Sequence, residues 1–174
     1  MALDQAISVG NDATEPVLKQ LADWAGDVSP DWPEVALERA ANAFGDTVAC
    51  MIAGADDDSP VNVRRGVSAW GSGPSSVAGQ VEKLPAPWAA MANGTAAHAL
   101  DYDDNVQVVL GHTSAVQVPA LLALGEAIGA TGRRLVDAYI VGFEIQMALG
   151  RGVNWSHYNI GWHSTSTIIG IGTA

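Results

Sequence analysis

Apolar positions recur along this chain mostly at a spacing of three and four residues. Val17, Leu18, Leu21, Trp24 and Ala25 fall on one helical face, the pattern of an amphipathic helix. Thr14 is placed to cap that helix, with Glu15 and Pro16 in its first turn and Gly26 ending it. A second stripe, Val35, Ala36, Ala40, Ala43, Phe44, Thr47, Val48 and Met51, follows Asp31 and Pro33 and stops at Gly54. The triplet Asp56-Asp57-Asp58 before Pro60 reads as a solvated loop, because like charges in a row repel. A shorter helix is expected over 61–70, and Gly71-Ser72-Gly73-Pro74 is a turn. Residues 77–84 are ambiguous between helix and extended chain. Further helices are expected over 87–100, 116–128 and 135–149, with Gly129 and Gly132 bracketing the link between the last two.

No segment alternates convincingly at a period of two, so the predicted fold class is all-α, a helical bundle-like domain. The stretch from Ser164 to Ala174 is apolar, uncapped and lacks a polar tail. Domains ordinarily end in something that tolerates water, so residues 1–174 are expected to be the incomplete first domain of something longer. Gly170 and Gly172 do not complete a dinucleotide-binding fingerprint.

Composition narrows the class of partner. The 174 residues carry 8 Lys+Arg against 19 Asp+Glu, a formal net charge of -11. Such a surface repels a phosphate backbone and an anionic bilayer, so nucleic acid and membrane are not expected partners. Hydrophobic residues at 48% suffice for a sizeable core. One cysteine, Cys50, excludes an intrachain disulfide and a cysteine zinc cluster. The first residues lack the basic and apolar regions of a signal peptide, and a cytoplasmic location is the expectation.

Chemistry concentrates in two clusters that hold or adjoin all four histidines. The first runs from Asn93 through His98, Asp101, Asp103, Asp104 and Asn105 to His112-Thr113-Ser114. The second is Trp155-Ser156-His157-Tyr158 followed by Gly161-Trp162-His163. Three carboxylates within four residues are costly to bury unless a cation, a protonated imidazole or backbone amides compensate them. Three readings stay open on the residues alone. One is a metal site using His98, Asp101, Asp103, Asp104 and His112, where oxygen and imidazole ligands suit magnesium, manganese or iron. A second is metal-free acid–base catalysis by a histidine that an aspartate orients. In the third, the histidines are satisfied by packing and the aspartates cap the next helix.

Taken together, Gly79-Gln80, Leu84-Pro85, Ala89-Ala90, Asn93-Gly94, His98, Asp101, Asp103-Asp104, His112 with Ser114, His157-Tyr158 and Gly161-Trp162-His163 resemble the MmgE/PrpD family. That family includes 2-methylcitrate dehydratase, cis-aconitate decarboxylase and iminodisuccinate epimerase. The resemblance extends from about Thr14 onward and is most specific over 93–104. It implies a helical first domain, a smaller α+β second domain that this sequence does not include, a homodimer, and no metal or organic cofactor.

The resemblance also implies a small polycarboxylate substrate, attacked at the carbon next to a carboxylate. It makes His112, His163 and Asp101 the expected catalytic residues, and Asn105, His98, Asp104 and Trp162 the expected substrate-binding ones. Elimination of water is the first expectation, with epimerisation or decarboxylation as alternatives and a non-catalytic dimerisation module as the rival class. The 174-residue chain alone is expected to be inactive. Two departures stand out. Asn105 and Thr113 occupy places where relatives have threonine and proline, and the apolar segment 105–111 replaces a loop that often contains His-Pro.

Overall fold

The computed structural model describes residues 15–174; the Thr14 cap lies outside them. Among the described residues eight α-helices follow one another: α1 (Val17–Asp27), α2 (Glu34–Gly54), α3 (Asp58–Val67), α4 (Ala86–His98), α5 (Thr113–Ile128), α6 (Gly132–Val153), α7 (Ser156–Asn159) and α8 (Ser164–Thr173). A 3-10 turn, Ser68–Trp70, extends α3. The end of the ambiguous stretch, β2 (Lys83–Leu84), pairs antiparallel with β1 (Ser75–Ser76), which lies just before that stretch, in register Ser75 to Leu84. The all-α expectation holds. No helix among the described residues is long and apolar enough to cross a membrane.

Helix ends follow from local chemistry. Pro16, Pro33 and Pro85 sit at the N-cap positions of α1, α2 and α4, where a fixed φ is compatible with helix entry. Within the acidic triplet, Asp57 caps α3 by accepting the Ser59 amide at 2.9 Å, and Asp58 lies in the first turn. Both placements suit the positive end of the helix dipole. The triplet therefore starts a helix rather than filling a loop. Gly129, at φ 66°, ends α5 in the left-handed conformation that glycine adopts without Cβ strain.

α4 and α5 form the central pair, with α2 and α3 on α4, and α6 and α8 on α5. Alanine makes this closeness possible: Ala89, Ala92, Ala96 and Ala97 are all buried on α4. A Cβ on Gly54 of α2 would lie 2.2 Å from the Ala96 carbonyl oxygen, so glycine is required at that crossing. One core cluster joins Ala40, Val118, Tyr139 and Ile140, with Trp32 and Phe44 packed on it. Another joins Val109, Met147 and Ile169. Each fully buried Val or Ile there contributes roughly 1.5–3 kcal/mol relative to exposure.

Polar groups inside the bundle are paired across elements. Asn93 donates to the Ser76 carbonyl and accepts from the Ala78 amide, both at 2.9 Å, pinning the β1–β2 hairpin to α4. Ser75 donates to the Ala123 carbonyl of α5 at 2.6 Å. Gln117 donates to the Tyr139 carbonyl at 3.0 Å, and Gln146 donates to Gln117 at 3.1 Å, tying α5 to α6. These bonds fix the α4–α5 frame that carries the site.

Candidate active site

His98 is the last residue of α4, and His112 is the N-cap residue of α5. The chain between them turns back because Asp101 takes φ 56°, a conformation aspartate tolerates better than most residues. That reversal brings Asp103 beneath both histidines. The two rings lie 4.4 Å apart between centroids and are inclined by 55°.

The carboxylate of Asp103 is the centre of the arrangement. Its side chain is 0% exposed. His98 Nδ1 lies 3.0 Å from Oδ1 and 3.2 Å from Oδ2, within hydrogen-bond reach of both. His112 Nδ1 lies 3.1 Å from Oδ2, yet that contact is out of line for a hydrogen bond and leaves Nδ1 without a partner. Asp101 stands on the solvent side, 77% exposed, with Oδ1 3.8 Å from His112 Nε2 and 3.9 Å from His98 Nδ1. His98 also lines an open cleft of about 700 Å³ between α4 and α5, together with Met91, Thr95, Ala115 and Thr165.

Asp104 has a different task. Its oxygens accept from the Ser114 amide at 3.0 Å, the Ser114 hydroxyl at 2.6 Å and the Thr113 hydroxyl at 2.7 Å. It therefore caps α5 from outside, a charge-assisted anchor at the helix N-terminus. Because the Ser114 hydroxyl donates to Asp104, the Tyr139 phenol donates to Ser114 Oγ across 2.8 Å. Burial pushes the Tyr139 phenol up to about 12; the Ser114 hydrogen bond pulls it down, and the Asp104 charge raises it again. Burial likewise raises the Cys50 thiol, helped by the charges of Asp46, Asp103 and Asp104.

The segment between Asp104 and His112 is held by a Val106–Gly111 bridge. Val109 within it is fully buried against Met147 and Ile169, so the apolar character of the loop serves the core. Asn105 is exposed.

His163 occupies the N-cap position of α8 and is exposed. Its ring neighbours that of Tyr158, at 6.5 Å. Trp162 is exposed and stacks on His157 at 6.2 Å. The backbone N–H of His112 donates to Thr165 of α8 at 3.1 Å, so the head of α8 adjoins the His112 loop. Among the described residues, the imidazole packed against His112 is that of His98. Asp103 belongs to the run that carries the family resemblance, but the resemblance gives it no catalytic or substrate-binding role; only the metal reading does. The signal of Asp103 was position, two residues from Asp101, where a chain reversal turns the intervening Tyr102 outward.

Comparison with known proteins adds an independent line. A cis-aconitate decarboxylase of Homo sapiens is 39% identical over 77 residues, covering 41% of this chain and 16% of that protein. A cis-aconitate decarboxylase-like protein of Aspergillus oryzae is 27% identical over 158 residues, covering 85% of this chain and 33% of its own length. The matches thus span a third or less of these relatives. The MmgE/PrpD N-terminal domain profile matches residues 19–174, nearly all that the structure describes, and the chain accordingly belongs to the MmgE/PrpD family through that domain.

Proposed function

We propose that this chain carries part of the acid–base machinery of a lyase that acts on a small polycarboxylate at the carbon next to a carboxylate group. The supporting observation is the pair of imidazoles, 4.4 Å apart, flanking a carboxylate fully out of solvent. A proton on a carbon beside a carboxylate is very weakly acidic, so its removal needs a positioned base. A carboxylate near Nδ1 favours the tautomer protonated there. His112 Nε2, on the side of exposed Asp101, is then the basic lone pair. Asp101 orients the ring or shares its proton, and Asn105 and Trp162 contact the substrate from the exposed rim. His163 is the second proton carrier in this reading; Thr165, two residues on, already touches the His112 backbone.

Both named relatives are cis-aconitate decarboxylases or like them, which favours loss of CO₂ over loss of water; in that case the C–C electron pair stays on the substrate carbon as CO₂ leaves, and a protonated imidazole of the pair delivers the proton that carbanion takes up. The site's own carboxylates oppose an anionic substrate, so cationic groups complete the pocket; Arg151 near the end of α6 is one candidate. The whole enzyme would work as a homodimer with a second domain closing the cleft.

The test uses cis-aconitate and 2-methylcitrate in deuterated water, followed by NMR. Decarboxylation shortens the carbon skeleton, dehydration creates an olefin, and epimerisation washes in deuterium with the skeleton intact. His112→Ala should lower the observed reaction by ~10²-fold or more. An unchanged rate in that variant, or imidazole signals of His98 and His112 that neither substrate moves, would refute the reading.

A further inference from the structure

We infer that the cleft beside His98 seats an alkyl chain, and that the substrate is a polycarboxylate bearing an unbranched apolar substituent; the inference rests on the acid–base reading and names the class of substrate it serves. The cleft, about 700 Å³, adjoins the imidazole of His98 and is walled by Ala90, Met91 and Gly94 of α4 and by Ala115, Val116 and Ala120 of α5. The run of α4 from Ala90 to His98 is roughly 12 Å long at a rise of about 1.5 Å per residue. That is the reach of a chain of several methylenes, not of a single methyl group.

The hydrogen-bonding capacity of the walls decides what the cleft can hold. Among the described residues that line it, none but His98 can carry a charge. Most of its hydroxyl protons are already committed. Ser59 donates to Asp57 at 2.8 Å, Thr95 to the Met91 carbonyl at 2.8 Å, and Thr173 to the Ile169 carbonyl at 2.9 Å. Thr165 differs, because its hydroxyl accepts the His112 backbone N–H at 3.1 Å and keeps its own proton to give, beside the imidazoles. A carboxylate moved into the cleft away from that end would lose its hydration and meet no donor, a heavy penalty for a charged group. A methylene chain loses nothing there.

The two parts of the site therefore ask for different chemistry in one molecule. The imidazoles of His98 and His112 and the hydroxyl of Thr165 face an acid's head group. Beyond them Met91 stands in the cleft wall at 51% exposure, an unbranched, adaptable side chain of the kind that fits itself to an irregular apolar partner. Covering such a wall releases apolar surface from water. A chain attached to the reacting acid reaches the wall in the same binding event, and binding energy from a remote, non-reacting part of a substrate can be drawn on at the reacting carbon.

The experiment titrates the 174-residue chain with methylsuccinate, butylsuccinate and octylsuccinate, read by calorimetry and by the imidazole and methionine-methyl NMR signals. An open wall covers one side of a chain, so each added methylene should tighten binding by about 2-fold, half the free energy of full burial, and octylsuccinate should bind ~10²-fold more tightly than methylsuccinate. All three acids should move the His98 and His112 signals, whereas the Met91 methyl should respond to the longer chains alone. Met91→Glu sets a carboxylate in the wall at an exposed position and should bring octylsuccinate to within ~3-fold of methylsuccinate. Val81→Glu, exposed and outside the cleft lining, should leave the series unchanged. Equal affinities along the series, with both imidazole signals moving, would overturn the inference alone. A chain-length gain that Met91→Glu leaves intact would put the chain elsewhere and overturn it too. Imidazole signals that none of the three acids moves would overturn the acid–base reading, and the inference with it.

Discussion

Asp103 Oδ2 lies 3.1 Å from Nδ1 of His112, on a side chain entirely out of solvent. Even without a hydrogen bond, the charge of a carboxylate so placed favours the tautomer with its proton on Nδ1, which leaves the Nε2 lone pair on the outer side. Asp103 is in this sense a positioning residue. Asp103→Asn keeps the shape but removes the charge. In the proposed reaction it should lower kcat by ~10²-fold while changing KM little. Steady-state kinetics with cis-aconitate check this, and an equal loss in KM with kcat preserved would assign Asp103 to substrate binding instead.

Asp104 makes a separate prediction, because its role is structural. Asp104→Ala deprives the Ser114 amide and two hydroxyls of their acceptor at the start of α5. A lost N-cap and a lost charged hydrogen bond each cost about 1–2 kcal/mol, so unfolding in urea should occur at a lower midpoint by roughly 2 kcal/mol of stability. Asp104→Asn, which retains an acceptor, should recover at least half of that. If both variants unfold with the wild type, the α5 anchor lies elsewhere.

The helices were legible because their apolar stripes keep the helical period, and α2 and α6 emerge near their expected bounds. What the pattern could not supply were the turns that place the site. Nothing in the Leu100-Asp101-Tyr102 run announces that Asp101 takes φ 56°. That one backbone choice decides whether Asp103 or Asp101 goes under the imidazoles. Helical spacing of His98 and Asp101 put the exposed carboxylate first, and the buried one was passed over. Asp104 was likewise assigned to substrate from family likeness, whereas its role as a cap depends on where α5 begins, the least legible feature of any helix. The segment over 164–173 gave no capping signal, yet it forms α8 because Ile168 and Ile169 bury against α5 and α6.

Two glycines on different helices should respond oppositely to the same substitution. Gly142 on α6 meets α8 so closely that a Cβ would lie 2.2 Å from Gln117 Nε2 and 2.3 Å from the Gly172 carbonyl oxygen. Gly142→Ala should destabilise by about 1–3 kcal/mol through overpacking. Gly45 on α2 has nothing within 4 Å of a built Cβ, so Gly45→Ala should stabilise by roughly 0.5–1 kcal/mol through reduced backbone entropy in the unfolded chain. Thermal unfolding of the two variants side by side checks the pair. Equal shifts of the same sign would contradict the close α6–α8 crossing.

The β1–β2 hairpin ties acid stability to one carboxyl group. Partial burial raises Glu126, but hydrogen bonds from the Ser76 amide and hydroxyl, helped by the Lys83 charge, outweigh it and leave the group below its ordinary value. The hydroxyl contact measures 2.7 Å. A folded-state value lower than the unfolded one means that the unfolded chain takes up the proton first as pH falls. The stabilisation from Glu126 is therefore complete above the ordinary glutamate range, near pH 4.5, and disappears as pH drops through the lower folded value. Glu126→Gln should thus be less stable than the wild type at neutral pH, with the difference shrinking on acidification. Because the group is largely exposed, the effect at neutral pH should be under ~1 kcal/mol and smaller still in high salt. Urea titrations of both proteins at several pH values measure it, and a difference that grows as pH falls would show that the Ser76 hydroxyl and amide do not hold the ionised form.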